Sequence, residues 1–175
     1  MAQILNNPAR SLLLLLTMLV STLVCTGCSN PQPLVDGKLP VEISGKTFQL
    51  EIVADDATRT KGLGDRRELA PGEGMLFSFP DSRIRTFVMR DCFIDIDIIF
   101  LDSAGNIVAM HQMKVEEPKR PDESQFQYEN RLKKYPSRFN AQYAIELAGC
   151  ALDTLDLAEG DHIDLNTGYL ESVTQ

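Results

Sequence analysis

Tryptophan is absent from the 175-residue chain, and histidine occurs only twice, as His111 and His162. Neither histidine has a paired spacing with the other or with a cysteine, so a zinc site built on them is not expected. Basic residues are also in short supply: 17 Lys and Arg face 25 Asp and Glu, a formal net charge of −8. A nucleic-acid partner needs a basic face to neutralise phosphates, so this balance argues against one. No low-complexity tract and no repeat of solenoid or propeller length occurs, and no G-x-S-x-G elbow or P-loop is present. The two glycines of Gly62-Leu63-Gly64-Asp65-Arg66 lack the third glycine and the preceding strand of a dinucleotide fingerprint. No cofactor and no metal ion is therefore expected from motifs, and Met75, Met89, Met110 and Met113 are read as core filler.

What the chain does have begins with an address. Arg10 precedes the 14-residue apolar run Ser11–Val24, which ends at Cys25-Thr26-Gly27-Cys28. That run is shorter than the roughly 20 apolar residues of a permanent membrane-spanning helix. A charged start, a short apolar stretch and small residues before a cleavage point form a secretory signal over residues 1–27. Val24–Cys28 is similar to a bacterial lipobox, although Cys25 stands where that motif usually carries an aliphatic residue. The resemblance implies a lipidated Cys28 as the mature N-terminus, and two or more acyl chains anchor stably. Ser29 follows, which is similar to sorting toward an outer membrane if the cell has two. The expected location is thus the cell envelope, on the periplasmic or outer-membrane side in such a cell. Residues 28–40, with three prolines, read as a tether.

With Cys25 in the leader and Cys28 lipidated, the body keeps Cys92 and Cys150. An even pair in an oxidising compartment raises one disulfide as an expectation, with two independent buried thiols as its alternative. Beyond the tether the hydrophobic period is mostly two. Val41 and Ile43, then Phe48, Leu50 and Ile52, alternate around a Ser44-Gly45 turn. Asp55 can cap a short helix ending at Gly62, and Asp102–Asn106 is a strong turn signal. Seven or eight short strands are read in all, the last at His162–Leu165, with a short helix in Ala151–Leu157. The fold class expected over residues 41–170 is mainly β: a compact antiparallel sandwich or barrel-like body with two or three short helices. Val115–Asn140 departs from this rhythm. Its stripe Tyr128, Leu132 and Tyr135 fits one helix, with Asp122 as a cap, in a polar surface insertion.

Phe48–Ala54, Gly62-Leu63 with Arg66, Leu69, Gly74–Phe77, Phe87–Arg90, Ile94–Asp102, Tyr143–Gly149 and Gly160-Asp161 follow one another in an order that resembles domain of unknown function 192. The similarity runs from about Val41 to Leu165. It implies a mainly β body, often exported, and no established activity. Val88 stands where the family usually has Trp, Asp91 where it has Asn, Asp95 where it has Pro, and Gly64 where it has Met.

A strand over Phe93–Leu101 turns Asp95 and Asp97 to one face, about 7 Å apart, with Asp91 near its start. Asp97, Glu146, Arg66 and Arg90 are also positions of the family pattern, as the resemblance implies. The candidate ligand-binding residues are Arg66, Met89, Arg90, Asp95, Asp97 and Glu146, and Asp97 with Glu146 is the one candidate catalytic pair. If folding joins these two carboxylates in a cleft beside an arginine, they can hold a hydroxylated ligand or work as acid and base. The competing reading is a salt-bridged cluster or a wet sheet face; a divalent cation at Asp91, Asp95 and Asp97 is weaker still. The function expected is a lipid-anchored envelope module that binds a partner protein or a small hydroxylated ligand. A carboxylate-dependent hydrolase of envelope polysaccharide and a purely structural lipoprotein are the alternatives.

Overall fold

The computed structural model describes residues 34–175, so the leader, Cys28 and its lipobox lie outside the described residues. Strands β1 (Lys38–Ile43) and β2 (Lys46–Val53) form the expected hairpin. Ser44 and Gly45 at its tip take φ of 49° and 73°, the positive pair that a tight hairpin turn matched to strand twist requires. β1 begins at Lys38, and Leu39 and Val41 are both buried, so the last residues assigned to the tether belong to the sheet. The alternation Leu39, Val41, Ile43 is what recruits them.

β3 (Glu73–Phe87) runs parallel to β2, a pairing that needs a long crossover. Residues 54–72 supply it and carry α1 (Asp56–Lys61), whose Asp55 cap accepts from the N–H groups of Ala57 and Thr58. The remaining strands, β4 (Ile96–Leu101), β5 (Ile107–Met113) and β6 (Tyr135–Ala148), pair antiparallel. Together they make one open sheet in the order β1-β2-β3-β6-β4-β5. The body is therefore mainly β and sandwich-like, as expected, but its sheet is mixed and not closed.

Three local expectations change. Fewer strands form than the seven or eight read from the sequence, in part because β3 runs through Pro80 as one strand, with its pairing to β6 shifting between Ser78 and Arg83. Proline has no N–H for the ladder, so the break in register falls there. His162 makes only an isolated bridge to Asn106 rather than a strand, while Thr167–Val173 forms a further helix, α3, after α2 (Gln125–Arg131). The insertion's helix α2 starts two residues later than expected, at a capping box of Ser124 and Gln127 rather than at Asp122, and its tail Tyr135–Asn140 is already β6. Its stripe does bury Tyr128, Leu132 and Tyr135. No helix among the described residues is long and apolar enough to cross a membrane.

Each face of the sheet carries its own core. Leu50, Leu76, Ile99, Leu101, Tyr143, Ile145 and Leu147 pack on one side under Leu155, Ile163, Leu165 and Leu170 from the C-terminal segment. Met75, Phe77, Ile96, Ile98, Phe100 and Ala144 pack on the other, under Leu63, Met89 and Cys92. This two-faced burial explains why all six residues of β4, including Asp97, are buried.

Candidate functional site

Glu146 sits mid-sheet on β6, opposite Ile98 of β4 and Met75 of β3. Opposed residues share a face, so its side chain joins the Phe77 side of the sheet. Asp97 is opposite Leu147 and therefore faces the other way, toward Ile99 and Leu101. The two backbones are neighbours, but the pleat sends the carboxylates to opposite faces. The expected Asp97–Glu146 cleft does not form, and a hydrolytic pair made of these two acids is ruled out with it.

On its own face Asp97 is a fastener. Its Oδ2 accepts the Leu152 N–H at 2.8 Å and fixes the short 3-10 turn Leu152–Thr154 over the core. Burial pushes its carboxyl above the usual value, while the Leu152 and Cys150 N–H groups hold it back. Asp95 accepts from Lys114 Nζ at 3.0 Å and Val115 N–H at 2.9 Å, and these bonds lower its pKa. Asp91, at φ 52°, accepts from the Tyr128 hydroxyl at 3.0 Å. The three aspartates thus serve three different partners. Among the described residues no group of three His, Cys, Asp or Glu gathers around an ion position.

Glu146 is only half engaged. It is 5% exposed, and its Oε2 has no hydrogen-bond partner among the described residues. Burial pushes its carboxyl from 4.5 up to about 8; the Leu63 backbone N–H and the charge of Arg66 pull it back only in part. An unmatched buried polar group costs about 1–3 kcal/mol, so its persistence calls for an explanation. The explanation is overhead. Glu146 lines a cavity of about 860 Å³, within the usual range for ligand pockets. Gly62 at φ 50° closes over it: an added Cβ there would stand 3.3 Å from the Phe77 ring and 3.6 Å from Glu146 Oε2. The crossover from β2 to β3 delivers this glycine, which is how a parallel strand pair builds the site.

Aromatic rings make the inner wall. Phe77 meets Phe87 edge to face at 5.0 Å, and Phe79 stands 6.4 Å from each. The mouth carries Arg59, Lys61, Arg83, Arg85 and Arg90 against Asp56 and Asp81. Several of these cations are engaged. Arg59 donates to the Ser78 carbonyl and to Asp56, and Arg85 donates to the Ala141 carbonyl and to Asp81 while stacking 4.0 Å over Phe79. The strand alternation of Arg83 and Arg85 around Ile84 was the one legible trace of this rim, and neither arginine was singled out from it.

The other expected residues surround the site without all entering it. Arg90 lines the cavity but forks onto Glu129 of α2 at 2.6 and 2.7 Å. Arg66 grips Glu51 with bonds of 2.9 and 2.5 Å and reaches Glu146 only through its field. Met89 is a buried core residue. Cys92 lines the cavity, whereas Cys150 is exposed in the turn after β6; both are free, so the expected disulfide is absent. Burial first, then the nearby carboxylates Glu146 and Asp91, push the Cys92 thiol up to about 12.

The family model for DUF192, "Uncharacterized ACR", matches residues 39–165. The chain belongs to the domain of unknown function 192 family. Glu146, Asp97, Arg66 and Arg90 all fall inside the matched span. A crystal structure from Sinorhizobium meliloti, described as a "putative transcription regulator", is similar at 26% identity and a TM-score of 0.56. The match covers 71% of this chain and 89% of that one. A protein of unknown function from Novosphingobium aromaticivorans is similar in fold at 24% identity and a TM-score of 0.60, covering 73% of this chain and 85% of its own. No curated protein matches the chain.

Proposed function

We propose that this DUF192 protein is a lipid-anchored module of the cell envelope that binds a small hydroxylated ligand in the Glu146 cavity. The observation that carries this reading is the pairing of a buried carboxyl, whose Oε2 has no partner among the described residues, with a pocket of ligand size. At neutral pH most Glu146 side chains are protonated, so Oε2 offers a donor as well as acceptor capacity to a hydroxyl. A ligand hydroxyl would satisfy the orphan atom and recover its desolvation cost.

Binding is favoured over hydrolysis by the same geometry. A glycosidase needs two carboxyl groups roughly 5–9.5 Å apart across its substrate. Glu146 stands alone on the floor, and the two aspartates at the mouth are engaged by Arg59 and Arg85. The address rests on Arg10, Ser11–Val24 and Cys28. Protein purified from native envelopes in mild detergent should release a small hydroxylated compound on denaturation, and the Glu146→Ala variant should arrive without it. Equal retention by a folded Glu146→Ala protein would overturn the reading.

A further inference from the structure

The cavity is asymmetric in its chemistry, and the asymmetry constrains what fits. Its floor presents one uncharged hydrogen-bonding group, Glu146, and its wall presents the rings of Phe77, Phe79 and Phe87. A wholly apolar ligand would leave Glu146 unmatched, and a wholly polar one would desolvate against the rings without return. A sugar-like ring has both surfaces, a C–H face for the aromatic wall and hydroxyls for the floor.

The mouth adds the third element. Of its five cations, Arg59, Arg85 and Arg90 are committed to Asp56, Asp81 and Glu129. Lys61 makes no ion pair among the described residues, and Arg83 touches Asp81 only at 3.5 Å with its side chain 69% exposed. Both lie where α1 and β3 flank the opening. A protein of net charge −8 thus keeps one cation unpaired among the described residues, Lys61, and one loosely paired, Arg83, at the opening above a buried carboxyl oxygen that has no partner. Resting on the binding reading above, we infer that the cavity selects a carboxylated sugar of the uronic acid class. Its hydroxyl edge meets Glu146, its ring meets the phenylalanines, and its carboxylate meets Lys61 and Arg83.

Calorimetric titration of the folded protein with sodium glucuronate, methyl glucoside and sodium acetate tests this. Glucuronate is expected to bind about tenfold more tightly than methyl glucoside, the scale of one charge-assisted hydrogen bond, and the excess should shrink in high salt. Acetate alone should not bind. The Lys61→Gln/Arg83→Gln double variant should bring glucuronate down to the affinity of methyl glucoside, and a glucuronate preference that survives it would overturn the uronic acid assignment. Equal affinities for the acid and the neutral sugar in the wild type would overturn the uronic acid assignment while the binding reading stands. No binding of either sugar would likewise overturn the uronic acid assignment, whereas glucuronate binding that survives Glu146→Ala undiminished would overturn both.

Discussion

Glu146→Gln turns the buried acid into a neutral group of the same shape, and the consequence for stability follows from its titration. The folded pKa is raised, from 4.5 to about 8. Protonated Glu146 therefore favours the fold: the contribution is fully present below pH 4.5 and is lost as pH rises through 8. Each pH unit inside that window costs about 1.4 kcal/mol, so moving from pH 5 to pH 7 weakens the wild type by about 3 kcal/mol through this residue alone. The glutamine variant lacks that slope. Carboxylates with lowered pKa values, such as Asp55, Asp81 and Glu51, act in the opposite direction but equally in both proteins. Urea unfolding of the two proteins at pH 5, 6 and 7 isolates the difference. Glu146→Gln should gain about 3 kcal/mol on the wild type across the series, which corresponds to about 6–12 °C in melting temperature for a domain of this size. Parallel pH profiles would refute the reasoning, because they would mean the carboxyl ionises as easily in the fold as out of it.

Three further outcomes follow from the same coordinates. Asp97→Ala strands the Leu152 N–H and should cost about 1–3 kcal/mol in chemical unfolding, yet leave ligand retention unchanged, since it lies across the sheet from the cavity. A thiol reagent at pH 8 should label exposed Cys150 rapidly and Cys92 only on unfolding; one slow disulfide-protected pair would contradict the free thiols. Cys28→Ala should move the protein from the membrane fraction to the aqueous phase in detergent partition, and an unchanged membrane fraction would remove the anchor.

The strand alternation of Phe48–Ile52 is readable because its apolar residues take every second position. By contrast, β4 starts only at Ile96, so Asp95 precedes the strand expected over Phe93–Leu101, and the six residues of β4 are all buried. The identity of Glu146 was readable through the family pattern. Which face it joined was not readable. That depends on the register between β4 and β6, where a one-residue offset sets Asp97 against Leu147 and Ile98 against Glu146. Chain-local periodicity carries no information about such a pairing. The length of β3 is hidden by Pro80, which normally ends a strand but here sits at a register shift. Helix α3 escaped notice because only Leu170 of its seven residues is buried. The cavity itself is assembled from residues as far apart as Gly62 and Glu146, and Gly62-Leu63-Gly64, which lacks a dinucleotide fingerprint, is the segment that closes over the acid.

The most direct test is the ionisation of Glu146 itself, followed through its side-chain carboxyl carbon by NMR with the Glu146→Gln spectrum as assignment. A midpoint near pH 8, moved by a bound hydroxylated ligand, is the predicted result. A midpoint in the ordinary carboxylate range would contradict a neutral donor on the cavity floor.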